Sequence, residues 1–359
     1  MKILIIANAL TGLIGFRTEL IQRLQQEGHT ISVIVPADNK CDVSVLGKVD
    51  FRFVPMERRG TNPLKDIKLY FQYKKIIKEL KPDLVITYTI KCNIYGGCAA
   101  RMTRTPYVAN VTGLGTAFQG DGLLKKLVTF MNKFALKKAK TVFFENQGNL
   151  DTFVSLDIIK ESQAVKLNGA GVNLDKFSYV EPTDNGVTDF IFIARIMKEK
   201  GIDELIYATK KLIADGIPFS LKILGGMEDN YKDVIDDFCK NEQVEYVGFV
   251  NDVRPYIAAS DVSVLPSYHE GMSNTLLESA AMGRPLITSD IPGCREAVVD
   301  GVSGFLCEKQ NAESLYECMK RFAKLSFEEK KEMGKRSRKV IEENFNKNEV
   351  VKRTIANLK

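Results

Sequence analysis

The stretch Ser260–Glu296, SDVSVLPSYHEGMSNTLLESAAMGRPLITSDIPGCRE, decides the fold. It opens with an apolar, β-branched run (Val262, Val264, Leu265) stopped by Pro266, which predicts a buried strand. A polar loop from Ser267 to Asn274 leads into the helix-forming run Thr275 to Met282, which Gly283 and Pro285 end. Pro285 to Thr288 reads as a second strand. Strand, loop, helix and strand make a parallel-sheet unit, and such units bind ligands at the carboxyl ends of their strands. The chain is therefore expected to be an α/β protein.

Two glutamates give that loop its chemistry. Glu270 lies in the loop, and Glu278 follows eight residues later, about one turn into the helix. Between them the backbone N–H groups of Ser273, Asn274 and Thr275 stand at the helix start, where unpaired donors and the helix dipole favour an anion such as a phosphate. Two carboxylates beside an anion have a use if they accept hydrogen bonds from hydroxyls, for instance a ribose diol and a sugar. The plain alternative is a loop charge and a solvated helix residue.

The segment EGMSNTLLESAAMGRPLITSDIPGCREAV, residues 270–298, has two glutamates separated by seven residues between two strands. It resembles the signature of retaining family 4 glycosyltransferases of GT-B fold. The resemblance implies two Rossmann-like domains facing across a cleft, with Glu270 beside the donor sugar and Glu278 on the nucleotide ribose. Met272 and the amides of Ser273, Asn274 and Thr275 would lie on the same donor side.

Working outward, Phe190 to Ala194 predicts a strand, followed by Arg195, Lys198, Lys200 and Gly201 and then the helix Ile202 to Ala214. Cationic side chains at a strand's carboxyl end suit a diphosphate, although a surface charge cluster would look the same. By resemblance, ARIMKEKG (194–201) implies that Arg195 and Lys200 grip the donor pyrophosphate, so that with Glu270 they form the expected catalytic set. The strand Phe219 to Leu224 ends in Gly225-Gly226, a nucleotide-side loop by resemblance. Beyond the strand Val244 to Phe249, Phe249 and Val250 should border the nucleobase. A short helix is expected up to Ala259, a polar helix from Phe327 to Asn344, and a last helix, Lys347 to Leu358, returning to the first domain.

The first half begins with a strand (Met1 to Ala7), a loop holding Gly12 and Gly15, a helix from Phe16 to Glu27 and a strand from Thr30 to Val35, a βαβ unit. Its Gly-x-x-Gly is not the dinucleotide fingerprint, which argues against a nicotinamide oxidoreductase. The family's corresponding loop faces the reaction centre, which makes Gly15 a donor-side candidate and Arg17 an acceptor-side anion contact. A strand at Phe51 to Pro55, a helix at Pro63 to Leu80, a strand at Asp83 to Thr87, a small-residue helix at Ile94 to Arg104 and a strand at Tyr107 to Val111 follow. Thr112-Gly113-Leu114-Gly115-Thr116 then forms a glycine loop at a carboxyl strand end, so Thr112 and Gly113, with Lys91, join the acceptor side; a plain turn is the competing reading. Where many family members carry a histidine, Tyr88-Thr89-Ile90-Lys91 has none, and no role of that histidine transfers. Further strands are expected at Thr141 to Glu145 and Ala164 to Leu167, and a linker between Phe177 and Thr188, dividing the chain at residues 1–178 and 179–346.

Composition sets the bounds. At 359 residues the chain suggests two domains. No run approaches the roughly 18 apolar residues of a membrane-spanning helix, and the start reads as a sheet strand rather than a signal peptide. Seven scattered cysteines (Cys41, Cys92, Cys98, Cys239, Cys294, Cys307, Cys318) and two histidines form no metal-ligand spacing and fit reduced thiols. No metal cluster appears, consistent with metal-independent transfer in which side-chain cations stand in for Mg²⁺, and the resemblance implies a UDP-sugar as donor substrate. The net charge of +6 hides an asymmetry: residues 1–178 carry 26 Lys/Arg against 15 Asp/Glu, and residues 179–359 carry 25 against 30.

A basic half favours phosphates, nucleic acid or an anionic membrane face. The helical run Leu123 to Lys140 combines an apolar stripe with six lysines, as peripheral membrane binders do, or else it is a core helix with a solvated basic back. The segments KCNIYGG and VTGLGTAF resemble the bacterial N-acetylgalactosaminyl and galactosyl transferases that act on polyprenyl-diphosphate-linked sugars. The resemblance implies a hexosyltransferase in surface polysaccharide assembly, peripheral on the inner face of the bacterial cytoplasmic membrane, with an anionic membrane surface and no nucleic acid as partner. A sugar-nucleotide epimerase of the same fold and a non-catalytic glycan-binding scaffold are the rival readings.

Overall fold

Two parallel sheets, each with helices on both faces, organise the chain; the computed structural model describes residues 1–37, 42–57, 62–115, 118, 122–228 and 230–358. One unit comprises Met1–Ala170 with Lys347–Lys359, the other Gly171–Asn346. Buried strands rich in Ile, Val, Leu and Phe, such as Lys2–Ile6 and Leu84–Tyr88, are what a sheet covered on both sides requires.

The first unit contains, in chain order, β1 (Lys2–Ile6), α1 (Leu10–Gln26), β2 (Thr30–Val35), β3 (Val49–Phe53), α2 (Pro63–Leu80), β4 (Leu84–Tyr88), α3 (Gly97–Met102), β5 (Tyr107–Val111), α4 (Leu123–Leu136), β6 (Val142–Phe144), α5 (Gln147–Ser155) and β7 (Ala164–Lys166). Its seven strands lie in the order β3-β2-β1-β4-β5-β6-β7, all pairs parallel. The second unit continues with β8 (Thr188–Ile193), α6 (Ile202–Ala214), β9 (Phe219–Leu224), α7 (Lys232–Phe238), β10 (Val244–Gly248), α8 (Arg254–Ala258), β11 (Val262–Leu265), α9 (Asn274–Ala281), β12 (Leu286–Ser289), β13 (Gly304–Cys307), α10 (Ala312–Ala323) and α11 (Phe327–Asn344). Its order is β10-β9-β8-β11-β12-β13. In both sheets the order reverses once, between β1 and β4 and between β8 and β11. At such a switch point two adjacent crossovers leave to opposite faces and open a crevice at the carboxyl ends of the strands.

Several expectations change. The boundary falls between Ala170 and Gly171 rather than after residue 178: Val172 bridges Asn346, its N–H donating to the Phe345 carbonyl at 2.8 Å, and Phe177 joins the second core. The chain re-enters the first unit through α12 (Lys347–Ala356). Gly12 and Gly15 belong to no loop, because α1 already begins at Leu10. A glycine in a helix costs about 0.5–1 kcal/mol, which the burial of Leu10, Leu13, Leu20, Ile21 and Leu24 on one face of α1 outweighs. The expected Ile94–Arg104 helix is a five-residue π-helical turn, Cys92–Gly96, continued by α3.

The amphipathic run at 123–140 holds the largest surprise. Of α4 only Asn132, Ala135 and Leu136 are buried, so most of its apolar stripe lies outside the core. Thr116 of the glycine loop lies outside the described residues. Among the described residues no helix is long and apolar enough to cross a membrane.

Candidate active site

At the switch point of the second sheet, the chain leaving β8 makes a short turn, Lys198–Lys200, closed by Gly201 at φ +75°. A Cβ at Gly201 would stand 2.1 Å from the Pro266 carbonyl oxygen, so only glycine lets this turn lie against the loop that follows β11. Two hydrogen bonds stitch the segments together: the Tyr268 N–H donates to the Glu199 carbonyl at 2.9 Å, and the Ser267 hydroxyl donates to the same oxygen at 3.2 Å. The result carries Lys200 Nζ onto Glu270 Oε1 in a largely buried ion pair, the two side chains 16% and 13% exposed.

Glu270 is fixed from the other side by Gly293. A Cβ there would come within 2.6 Å of the Gly271 carbonyl and 2.9 Å of Glu270 Cβ. The Gly293 carbonyl accepts the Ser273 N–H at 2.9 Å, and its own N–H donates to Glu296 Oε2 at 2.8 Å. This corrects one expectation: the Ser273 amide is spent inside the protein and is no anion donor. Asn274 and Thr275 begin α9, which no side chain caps, so the first-turn amides there retain the donor capacity and the positive end of the helix dipole. Glu278, half-buried, sits one turn on from Asn274 and on the same face of α9.

The remaining donor-side candidates are distributed unevenly. Arg195, half-exposed, pairs with Glu228 (Nη1 to Oε1, 3.3 Å), the two segments being held side by side by the Ile196–Met227 bridge. Gly225 spends both backbone groups internally, its N–H on the Gly248 carbonyl at 2.8 Å and its carbonyl on the Tyr246 hydroxyl at 2.8 Å; it supports the sheet edge and offers no free amide. Met272 buries its side chain in the core, so only its backbone is left to face a ligand. Phe249 is 76% exposed just past β10, with Val250 beside it partly buried. Gly15 lies within α1, on its exposed side.

Sequence reasoning overlooked His269. Its Nε2 is buried and has no hydrogen-bond partner among the described residues. Burial, and then the Lys200 charge, push its pKa below the ordinary histidine range. Its position immediately before Glu270 was the available signal. Gly293 was likewise inside the quoted stretch, yet its role depends on contacts with Glu270 and Gly271, more than twenty residues earlier in the chain.

In the first unit the acceptor-side candidates surround the other switch point. Arg17 is no free anion contact: 9% exposed, it donates from Nη2 to Glu145 Oε1 at 2.7 Å and stacks over the Tyr88 ring at 4.7 Å. Lys91 donates to Asp66 Oδ1 at 2.8 Å, and the Tyr95 hydroxyl donates to the other oxygen at 3.0 Å. Thr112 and Gly113 follow β5 directly, Gly113 partly buried. Ile90 packs its Cδ1 beneath Gly115, 2.7 Å from where a Cβ would stand. Among the described residues no group of His, Cys, Asp or Glu could hold a metal ion.

Two doubly wound parallel sheets, with a cation–carboxylate pair and a helix N-terminus at the switch point of the second, define the GT-B class of nucleotide-sugar enzymes. The comparisons give the family. Residues 175–340 match the model "Glycosyl transferases group 1", and residues 2–146 match "Glycosyl transferase 4-like". The chain belongs to these glycosyltransferases. It is 29% identical over 336 residues, 88% of each chain, to the N,N'-diacetylbacillosaminyl-diphospho-undecaprenol alpha-1,3-N-acetylgalactosaminyltransferase of Campylobacter jejuni. It is 28% identical to the UDP-Gal:alpha-D-GlcNAc-diphosphoundecaprenol alpha-1,3-galactosyltransferase of Escherichia coli, over 75% of this chain and 73% of the relative. The crystal structure of Anabaena HepE in complex with UDP and glucose superposes with a TM-score of 0.80 at 16% identity, covering 100% of this chain and 99% of that one.

Proposed function

We propose that this glycosyltransferase moves a hexose or N-acetylhexosamine, with retention, from a UDP-sugar to a polyprenyl-diphosphate-linked saccharide during assembly of a bacterial surface glycan. The Lys200–Glu270 pair at the β8/β11 switch point, beside the uncapped start of α9, carries this reading. Both named relatives act on undecaprenyl-diphosphate-linked sugars by their names, and one takes UDP-Gal.

In this reading the diphosphate lies against Lys200, Arg195 and the first-turn amides of α9, Glu278 accepts from the ribose, and Glu270 accepts from the sugar. The bond from the anomeric carbon to the β-phosphate oxygen breaks, and a bond to the acceptor oxygen forms on the same face. The acceptor's proton passes to the leaving phosphate oxygen, so no separate base is required. Negative charge grows on the diphosphate as the bond breaks, which is where positioned cations and amides lower the barrier. Positive charge is thereby assigned to side chains and backbone, and no metal enters the scheme.

The same proposal places the protein on the inner face of the cytoplasmic membrane, with the lysines of α4 and Lys137 just beyond it against anionic lipid. Each contributes about 1 kcal/mol near such a surface, screened over a Debye length of roughly 8–10 Å. Lys125, Lys126, Lys133 and Lys137 all changed to Gln should abolish cosedimentation with anionic vesicles and spare transfer to a short water-soluble acceptor. Equal binding of the wild type to neutral and anionic vesicles would refute the electrostatic contact.

The deciding experiment is mass spectrometry of products after a panel of UDP-sugars is offered with polyprenyl-diphosphate-linked acceptors. One sugar residue added, with UDP released, is the expected result. Conversion of the free UDP-sugar without acceptor would identify an epimerase, and wild-type behaviour of Glu270→Gln would identify a scaffold.

A further inference from the structure

The first unit carries an apolar groove that the donor chemistry leaves unused. It lies among α2, the π-helical turn with α3, and α4, has a volume of about 370 Å³, and is lined by Ile67, Tyr70, Tyr95, Met102, Phe130 and Phe134 among others. That volume is within the roughly 300–1,000 Å³ of small-molecule sites. Its walls are nearly bare of polar atoms, and the helices that form it expose further apolar residues at helical spacing from its lining: Leu64 and Phe71 from Ile67 on α2, Leu127 and Leu123 from Phe130 and Met131 on α4. Leu123 is 84% exposed and Phe130 68%. A contiguous exposed apolar surface of this kind marks a binding face.

Cations border this groove through contacts with its own lining. Lys74 stands over the Tyr70 ring at 5.9 Å, and Arg101 over the Phe134 ring at 4.3 Å while donating to the Phe134 carbonyl. At the end nearest the carboxyl edge of β4, Tyr95 shares Asp66 with Lys91. An apolar channel with positive charge at its rim complements an amphiphile with a hydrocarbon chain and an anionic head. A groove, as opposed to a flat face, suits a single chain.

We infer that this groove binds the isoprenoid chain of the lipid-linked acceptor, next to its diphosphate. The inference rests on the acceptor class proposed above and adds a site for the lipid itself. A chain held there would leave the bilayer for part of its length, with its diphosphate at the rim cations Lys74 and Arg101. Hydrocarbon burial then contributes to acceptor affinity, so affinity depends on the number of isoprene units.

The test is calorimetric titration with sugar-free prenyl diphosphates of one to four isoprene units, kept below their aggregation concentrations. Affinity should rise at least about tenfold per added five-carbon unit until the groove is full. Phe130→Asp and Met102→Asp, both at exposed positions, should flatten the series while leaving UDP affinity unchanged. Equal affinity at all lengths in the wild type, or an unaltered length dependence in both variants, would overturn the inference. So would variants that lose binding to neutral vesicles yet keep the length series, which would assign the face to the bilayer. Transfer to diphosphate-linked saccharides is read separately. Transfer with a flat series removes the groove and keeps the proposed function. A rising series without transfer to any such acceptor supports the groove and removes the acceptor assignment.

Discussion

The two sheets share a strand order up to the sixth strand, and each places a cation–carboxylate pair by its switch point, but the two pairs are set differently. In the first unit Arg17 and Glu145, each side chain 10% exposed, are closed in by the Tyr88 ring, whose own hydroxyl is buried without a partner among the described residues. In the second unit Lys200 and Glu270 stand beside a helix start that no side chain caps and a histidine nitrogen likewise unpartnered among the described residues. The same topology thus yields one pair closed in by an aromatic ring and one beside a helix start whose first-turn amides keep their donor capacity. Charge at a strand's carboxyl end is therefore a weak sign of chemistry, and an uncapped helix N-terminus beside it is the stronger one.

The largest effect expected from this contrast is on stability. Arg17→Ala should cost about 3–5 kcal/mol, because it removes the guanidinium from a buried carboxylate, and urea unfolding of the first unit measures it. Restoring an apolar pair with Arg17→Met and Glu145→Leu should recover much of the loss. A cost below about 1 kcal/mol would put the pair among loosely held surface pairs and erase the contrast.

Next come the donor-side cations. Arg195→Ala and Lys200→Ala should each lower kcat on the order of 10²-fold or more, with a smaller stability loss than Arg17→Ala. Turnover near wild type in both variants would remove them from the site. Glu278→Ala acts on ground and transition state alike, so KM should rise more than kcat falls. Calorimetry with UDP alone checks this, and unchanged affinity would leave Glu278 a helix-surface residue.

The smallest effect is a pH dependence. The folded protein holds the His269 pKa below its unfolded value of about 6.5. Between those two values the unfolded chain binds more protons, so stability rises with pH across that window and is lost as pH falls through it. His269→Gln should flatten the fall in melting temperature below about pH 6.5 relative to wild type. An identical slope in the variant would assign it to other groups.

Much of this was legible beforehand where local pattern and burial agree. Most strands of both sheets and the helices 63–80, 202–214 and 327–344 follow from apolar period and Pro and Gly stops. The start of α1 was hidden because two glycines mimic a loop, and only the core beneath Leu10 and Leu13 reveals a helix. β13 (Gly304–Cys307) escaped because the turn formers Asp300, Gly301, Ser303 and Gly304 make its start read as a loop. At the site, residue types and the loop were readable, but hydrogen-bond allocation was not. That the Ser273 amide is taken by Gly293, and that Gly225 is spent on Gly248 and Tyr246, depends on loops that meet only in the folded sheet.

The return of the chain at Lys347 has a consequence for biosynthesis. The second unit is one uninterrupted segment, whereas the first is split and receives its final helix from residues after 346. That helix contributes Val351 to the core around β1, as Leu358 does just beyond it. The Asn357 carbonyl accepts from the Thr141 hydroxyl at 3.1 Å, and Lys347 Nζ donates to the Phe16 carbonyl at 3.1 Å. At about 5–20 residues per second, the roughly 190 residues between Ala170 and Leu358 keep a ribosome occupied for about 10–40 s. During that interval the nascent first unit waits with an uncovered apolar seam along α1, so the unit begun first on the ribosome is the one finished last.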